Sequence, residues 1–189
     1  MIQRRSSTKF ITGIVTYVNG RIWEPQEFDG YEVPLYTATI LIPKDQAKTN
    51  EGMRVALDTA LINGQSLHRG KFGKTARANI PIHDGDEDGM DEHFRGCWVV
   101  NAASLEPPIV WDNMIIPITD STFVQPGCKI RASLTFFAYK GCGIHKSGIG
   151  CMLGNIQKAF TRNDYEVLPD IDYEQFSEEF TRVFLMEEA

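Results

Sequence analysis

Residues 129–140 read K-I-R-A-S-L-T-F-F-A-Y-K. Side chains on a strand alternate between its two faces. Ile130, Ala132, Leu134, Phe136 and Ala138 therefore make one wholly apolar face, and Arg131, Ser133, Thr135, Phe137 and Tyr139 make the other. The second face carries a cation and two rings, with Lys129 and Lys140 at its ends. A half-buried strand ordinarily shows water a plain polar face. Rings beside cations are what a stacking platform for unpaired bases requires. Arg21, Trp23 and Tyr36 repeat the same residue types upstream. Trp23 follows a turn beside Arg21 and is expected to be exposed. Tyr17 and Trp98 are further rings, and Trp98, which shares a face with Val100 and Ala102, is expected inside.

Other side chains could do chemistry too. His68, Arg69, Lys71, Lys74 and Arg77 cluster around Gly70 and Gly73, with Phe72 among them. Glycine-punctuated cations fit a loop that closes over phosphates. Lys140 and Lys146 flank a glycine-rich stretch and could form the opposite wall. Asp84-Gly85-Asp86-Glu87-Asp88-Gly89 imitates the start of a calcium loop, but Arg95 stands at the twelfth position, where a bidentate Glu is required. The same acids could hold magnesium for a nuclease, which would need ligands converging from separate elements. A solvated acidic loop is the simpler reading. Cys142-x-x-His145, with Cys151 beyond, has zinc-like spacing but no clean second pair. No P-loop and no nucleophile–base signature occurs. No catalytic residue, metal site or cofactor is expected.

The chain has 189 residues, 42% of them hydrophobic, with eleven Phe. That is enough for one domain with a real core. No apolar run reaches the roughly 20 residues of a membrane span. The N-terminus has charge but no apolar stretch, so it does not read as a secretory signal. Four Cys in a chain of this size read as cytosolic thiols. The net charge of −6 conceals a split. Residues 164–189 hold nine acids against Arg182 alone, so they carry −8; the remainder, with 18 bases against 16 acids, carries +2. A mildly basic body can approach a polyanion, and an acidic tail repels it or competes for the same groove.

The elements that must position these residues follow from periodicity. Residues 9–18 and 33–42 read as strands, with Asn19-Gly20 as a tight turn between them and residues 23–31 irregular. Met53, Ala56, Leu57, Ala60 and Leu61 mark an amphipathic helix from about Thr49 or Asn50 to Asn63-Gly64. Residues 65–95 form a long excursion. Residues 96–104 and 129–140 are strands, 109–118 holds short ones, and 141–154, with five glycines, reads as a flexible hairpin. In the tail, Tyr173, Phe176, Phe180, Val183 and Phe184 fall at helical spacing. A mainly β chain with one principal helix predicts an OB-fold-like five-stranded β-barrel with a long loop insertion and a C-terminal acidic helix; a β-sandwich is the alternative. Residues 1–163 would be the binding domain and 164–189 the tail.

Several short motifs resemble a family of phage-encoded single-stranded DNA-binding proteins. They are Tyr17 to Pro25, Tyr36 to Lys44, Pro81 to Asp86, and Gly127-Cys128 leading to Phe137-Ala138-Tyr139. The glycine-rich run into Leu153 to Lys158 belongs with them. The resemblance covers most of residues 10–158. It implies an OB-fold, sequence-independent binding of single-stranded DNA, and a role in phage replication or recombination in the cytoplasm of the infected host. It also implies replication or recombination proteins as partners of the acidic C-terminus, no membrane, and a monomer or homodimer. The chain departs from the familiar tail, which ends in acids beside a terminal aromatic, because it ends Phe184-Leu185-Met186-Glu187-Glu188-Ala189. Two other readings remain: a metal-dependent nucleic-acid-processing enzyme using Asp84, Asp86 and Asp88, and a scaffold that binds no nucleic acid.

Overall fold

The computed structural model describes residues 7–28, 33–67, 79–140 and 147–159. Its strands are β1 (Lys9–Ile11), β2 (Val15–Gln26), β3 (Leu35–Pro43), β4 (Ile82–Asp84), β5 (Cys97–Ser104), β6 (Val110–Trp111), β7 (Lys129–Tyr139) and β8 (Gly148–Lys158). The helix α1 (Ala47–Leu67) lies between β3 and β4.

Hydrogen-bonded neighbours run β7–β2–β3–β5–β8, and β8 pairs again with β7, so five strands close into a ring. All the ring pairs are antiparallel except β5 with β8, which is parallel. This closed five-stranded barrel is the OB-fold-like architecture that the pattern of strands predicts. Closure removes the long exposed edges that an open sheet would show.

Alternation along each strand sends one face inward. Ile130, Leu134 and Phe136 on β7 meet Ile40 and Ile42 on β3, Val100 on β5 and Ile156 on β8 in one core cluster. α1 adds Met53, Ala56, Ala60 and Leu61 to the same cluster. Phe10 on β1 stacks on Phe136 with ring centroids 5.6 Å apart. A fully buried Phe or Leu contributes about 1.5–3 kcal/mol relative to exposure, so these positions dominate the stability of the barrel.

The helix begins earlier and ends later than its apolar spacing predicts. At its start the Thr49 hydroxyl accepts from the Gly13 amide at 2.9 Å, and Asn50 donates to the Pro43 and Lys44 carbonyls. At its end Asn63-Gly64 does not stop it, and Gly64 is buried.

Asn19-Gly20 is not a turn either. It lies within β2, at a register shift between Tyr17 and Asn19. Gly20 has φ +133°, and a Cβ there would stand 2.8 Å from backbone atoms of Thr37 and Ala38. The glycine lets the strand bulge against β3 and continue through residues expected to be irregular. Conversely, the strand expected over residues 9–18 is broken into β1 and β2.

Candidate nucleic-acid interface

β7 alternates as its sequence predicts. Ile130, Ala132, Leu134 and Phe136 are buried, and the opposite face divides into two parts. Ser133 is only 3% exposed; its partner Ile11 belongs to a small apolar cluster around Trp111, with Ile109 and Ile115. Arg131 and Thr135 are half-buried. Beyond them the face opens: Phe137 is 46% exposed, Tyr139 is half-buried and Lys140 is exposed.

What seats the two rings is glycine. Phe137 pairs with Gly150 on β8, and Tyr139 with Gly148. A Cβ on Gly150 would fall within 2.9 Å of three Phe137 ring carbons, so the ring lies directly on the Gly150 backbone. A Cβ on Gly148 would stand 2.5 Å from the Tyr139 hydroxyl and 2.7 Å from Asn79. Rings folded over cross-strand glycines bury backbone that no side chain covers. For Phe137, one ring face is then used and the other is left toward solvent. The two ring centroids are 6.5 Å apart with planes tilted by 54°.

Asn79 fixes Tyr139. Its side-chain amide donates to the Tyr139 hydroxyl at 2.8 Å, and its carbonyl accepts from the Ile149 amide at 3.0 Å. The Pro81 carbonyl accepts from the Asn101 amide, and Ile82 to Asp84 pair with β5. Segment 79–84 thus bonds to β8 at one end and to β5 at the other.

A continuous outward band joins this end of β7 to Arg21. Arg21 pairs with Thr37, Thr37 with Ala103, Ala103 with Met152, and Met152 with Thr135. Adjacent strands lie about 4.8 Å apart, so the band spans roughly 19 Å. Arg21 is exposed, and Met152 is 47% exposed. In the next row Thr39 donates its hydroxyl to the Asn101 side chain at 2.8 Å. The surface therefore offers a cation at one end, hydrogen-bonding side chains in the middle and two rings at the other.

Other expected contacts sit elsewhere. Trp23 is half-buried rather than exposed: it packs against the core, and its indole NH donates to the Val124 carbonyl at 3.0 Å. Tyr36 is half-buried on β3, opposite Ser104. Tyr17 is buried, its hydroxyl donating to the Gly20 carbonyl, and burial raises its pKa. Trp98, expected inside, is half-buried: it packs against the core and carries Lys44 over its ring. Lys71, Phe72, Lys74 and Arg77 lie outside the described residues, as do Cys142, His145, Lys146 and the whole acidic tail. Leu67 and Asn79 bound the first of these stretches, and Lys140 and Ser147 the second. Asn79 and Lys140 both adjoin the ring pair. Sequence reasoning missed Gly148, Gly150, Asn79 and Met152. The available signal was Gly148-x-Gly150, whose spacing strips one face of a strand of side chains.

The acidic loop is tied to a lysine. Lys44 bonds to Asp84 and, at 2.6 Å, to Asp86; it also lies 4.6 Å over the Trp98 ring. Asp84 accepts from the Asp86 amide and Asp86 from the Gly96 amide, each at 2.8 Å. These bonds hold both carboxyls below the ordinary carboxylate range and raise the Lys44 ammonium. One oxygen of Asp84 and both oxygens of Asp86 are thus engaged by an ammonium and backbone amides. Among the described residues, no group of three or more His, Cys, Asp or Glu could hold a metal ion. The alternative reading of an Asp84–Asp88 metal centre has no support among the described residues, and the loop expected to be merely solvated is instead tied to Lys44. Cys97, Cys128 and Cys151 are free thiols.

Fold and surface together define an OB-type barrel that presents two tilted rings and an exposed cation on one side of its sheet. The chain belongs to the family described as Enterobacter phage Enc34, ssDNA-binding protein, whose model matches residues 8–165. Its fold is similar to that of the single-stranded DNA-binding protein from bacteriophage Enc34 in complex with ssDNA. That likeness has a TM-score of 0.67 at 19% identity and covers 82% of this chain and 87% of that one. It is also similar to gp2.5, a single-stranded DNA-binding protein encoded by bacteriophage T7, with a TM-score of 0.59 at 13% identity, over 87% of this chain and 99% of that one. No curated protein matches the chain.

Proposed function

We propose that this chain is a non-catalytic protein that binds single-stranded DNA, with little regard to sequence, during phage replication and recombination. Family membership supports the substrate class, and the Phe137–Tyr139 ring pair seated on Gly150 and Gly148 carries the mechanism. Every base has a π-face, so stacking on a ring is sequence-tolerant and contributes about 1–3 kcal/mol per base. Lys140 and Arg21 supply phosphate contacts at the two ends of the band. Lys71, Lys74 and Arg77, with Phe72 for a further stack, add to these from the stretch between Leu67 and Asn79. Arg131, Trp23 and Tyr36 complete the set of candidate contacts, the last two from half-buried positions.

The acidic residues 164–189 act as a separate tail that contacts replication or recombination proteins. The site of action is the cytoplasm of the infected bacterial host. Among the described residues, no helix is long and apolar enough to cross a membrane.

A titration of labelled oligo-dT at low and high salt, with and without magnesium, tests this reading. Counterion release predicts binding at ~50 mM salt and steep weakening as salt rises. Magnesium should act only as a salt. Cleavage or modification of the oligonucleotide that depends on magnesium would point to the enzymatic alternative instead.

A further inference from the structure

We infer that Asn79 is a positioning residue that sets the angle between the two stacking surfaces, and so makes the site discriminate against runs of stacked purines. The inference rests on the single-stranded DNA-binding reading above. Bases in a stacked run are parallel and in contact. The Phe137 and Tyr139 planes are tilted by 54° with centroids 6.5 Å apart. Two neighbouring bases laid on these rings cannot stay stacked on each other. The strand must open at that step, and opening costs more for adenine than for thymine because purines stack more strongly.

The tilt is held from outside the ring pair. Phe137 is pinned by the Gly150 backbone, whereas Tyr139 extends to its hydroxyl, which meets the Asn79 amide at 2.8 Å above Gly148. Asn79 is itself anchored through its carbonyl to the Ile149 amide, a main-chain bond that no side-chain substitution removes. The bond holds the far end of the Tyr139 side chain against swinging about Cα–Cβ; without it, the side chain can swing and carry its ring plane toward that of Phe137, where two bases that remain stacked are accepted. The ratio of affinity for adenine runs to affinity for thymine runs then rises, whatever the change in overall affinity.

The test compares fluorescein-labelled dT and dA oligonucleotides of equal length on the full chain. The proteins are the wild type, Asn79→Ala, Tyr139→Phe and the double variant. Tyr139→Phe keeps the ring but breaks the same bond from its other side, so the test stands if Asn79→Ala fails to fold. The wild type should bind dT about tenfold more tightly than dA, a preference of the kind stacking strength produces. Either single substitution should bring the two to within about threefold, and the double variant should add nothing, as expected for one shared interaction. An unchanged dT-to-dA ratio in the single variants, or additive effects in the double, overturns the role of Asn79. A wild-type protein that binds neither oligonucleotide removes the binding reading itself.

Discussion

The Phe137 ring lies flat against the Gly150 backbone, so that a Cβ on Gly150 would fall within 2.9 Å of three ring carbons. Replacing Gly150 by Ala therefore acts on the ring more than on the barrel, because a half-exposed side chain can swing outward. We expect Gly150→Ala to change the melting temperature by only a few degrees, as for a surface change of under about 1 kcal/mol. It should weaken dT binding by a few-fold, less than the about 1–3 kcal/mol of a whole lost stack, because the displaced ring remains available. Parallel thermal unfolding and anisotropy titrations check this; normal affinity with the ring displaced would separate Phe137 from binding.

Truncation of the ring itself should cost more. Phe137→Ala removes one stacking surface, which corresponds to about 1–3 kcal/mol of binding, or roughly 5- to 150-fold in affinity. Phe137 is 46% exposed, so the stability loss should stay well below the about 3–5 kcal/mol of a buried Phe→Ala. Phe136→Ala, its core neighbour, should show the reverse pattern: a large loss of stability.

Gly20 makes a purely structural prediction. Its φ of +133° and its approach to Thr37 and Ala38 leave no place for a side chain. Gly20→Ala should destabilise the barrel by about 2 kcal/mol or more through backbone strain and the forced separation of β2 from β3. Urea unfolding monitored by circular dichroism measures this. A loss under about 0.5 kcal/mol, the range of ordinary surface substitutions, would mean that the bulge is not where the structure places it.

The Lys44 cluster predicts a pH signature. Asp84 and Asp86 have depressed pKa values in the fold, so their contribution is present above the unfolded carboxylate pKa and is lost as pH falls through their folded values. Lys44 has a raised pKa, so its contribution is complete below the unfolded lysine pKa and is lost as pH rises through the folded one. Lys44→Met should therefore be less stable than the wild type at neutral pH. The gap should narrow below about pH 4 and again above about pH 10. Melting temperatures of both proteins across that range decide it; a constant gap would assign the effect to lost packing against Trp98.

Much of the barrel was legible because strand periodicity is local. The β7 alternation needs only one segment, and it placed Phe136 inside and Phe137 outside correctly. The helix was found for the same reason, but its ends were not, since Thr49 is held by Gly13 and Gly64 by burial, both tertiary effects. Asn19-Gly20 misled because a bulge and a hairpin turn use the same residues, and only the position of Thr37 distinguishes them. Asp84 and Asp86 read as a solvated acidic loop because Lys44, their partner, is forty residues away in sequence. The ring pair was foreseen, but its glycine seats and the Asn79 tether were not. Those depend on the β7–β8 register and on a strand connection that periodicity does not report.

The most direct test of the central claim is oligo-dT binding by the Phe137→Ala, Tyr139→Ala double variant beside the wild type, at ~50 mM salt where counterion release favours association. The far-ultraviolet circular dichroism of the two proteins should match. The account predicts tight binding by the wild type and a loss of about a hundredfold in the double variant, the sum of two stacks. Equal affinity of a folded double variant, or no binding by the wild type, would contradict it.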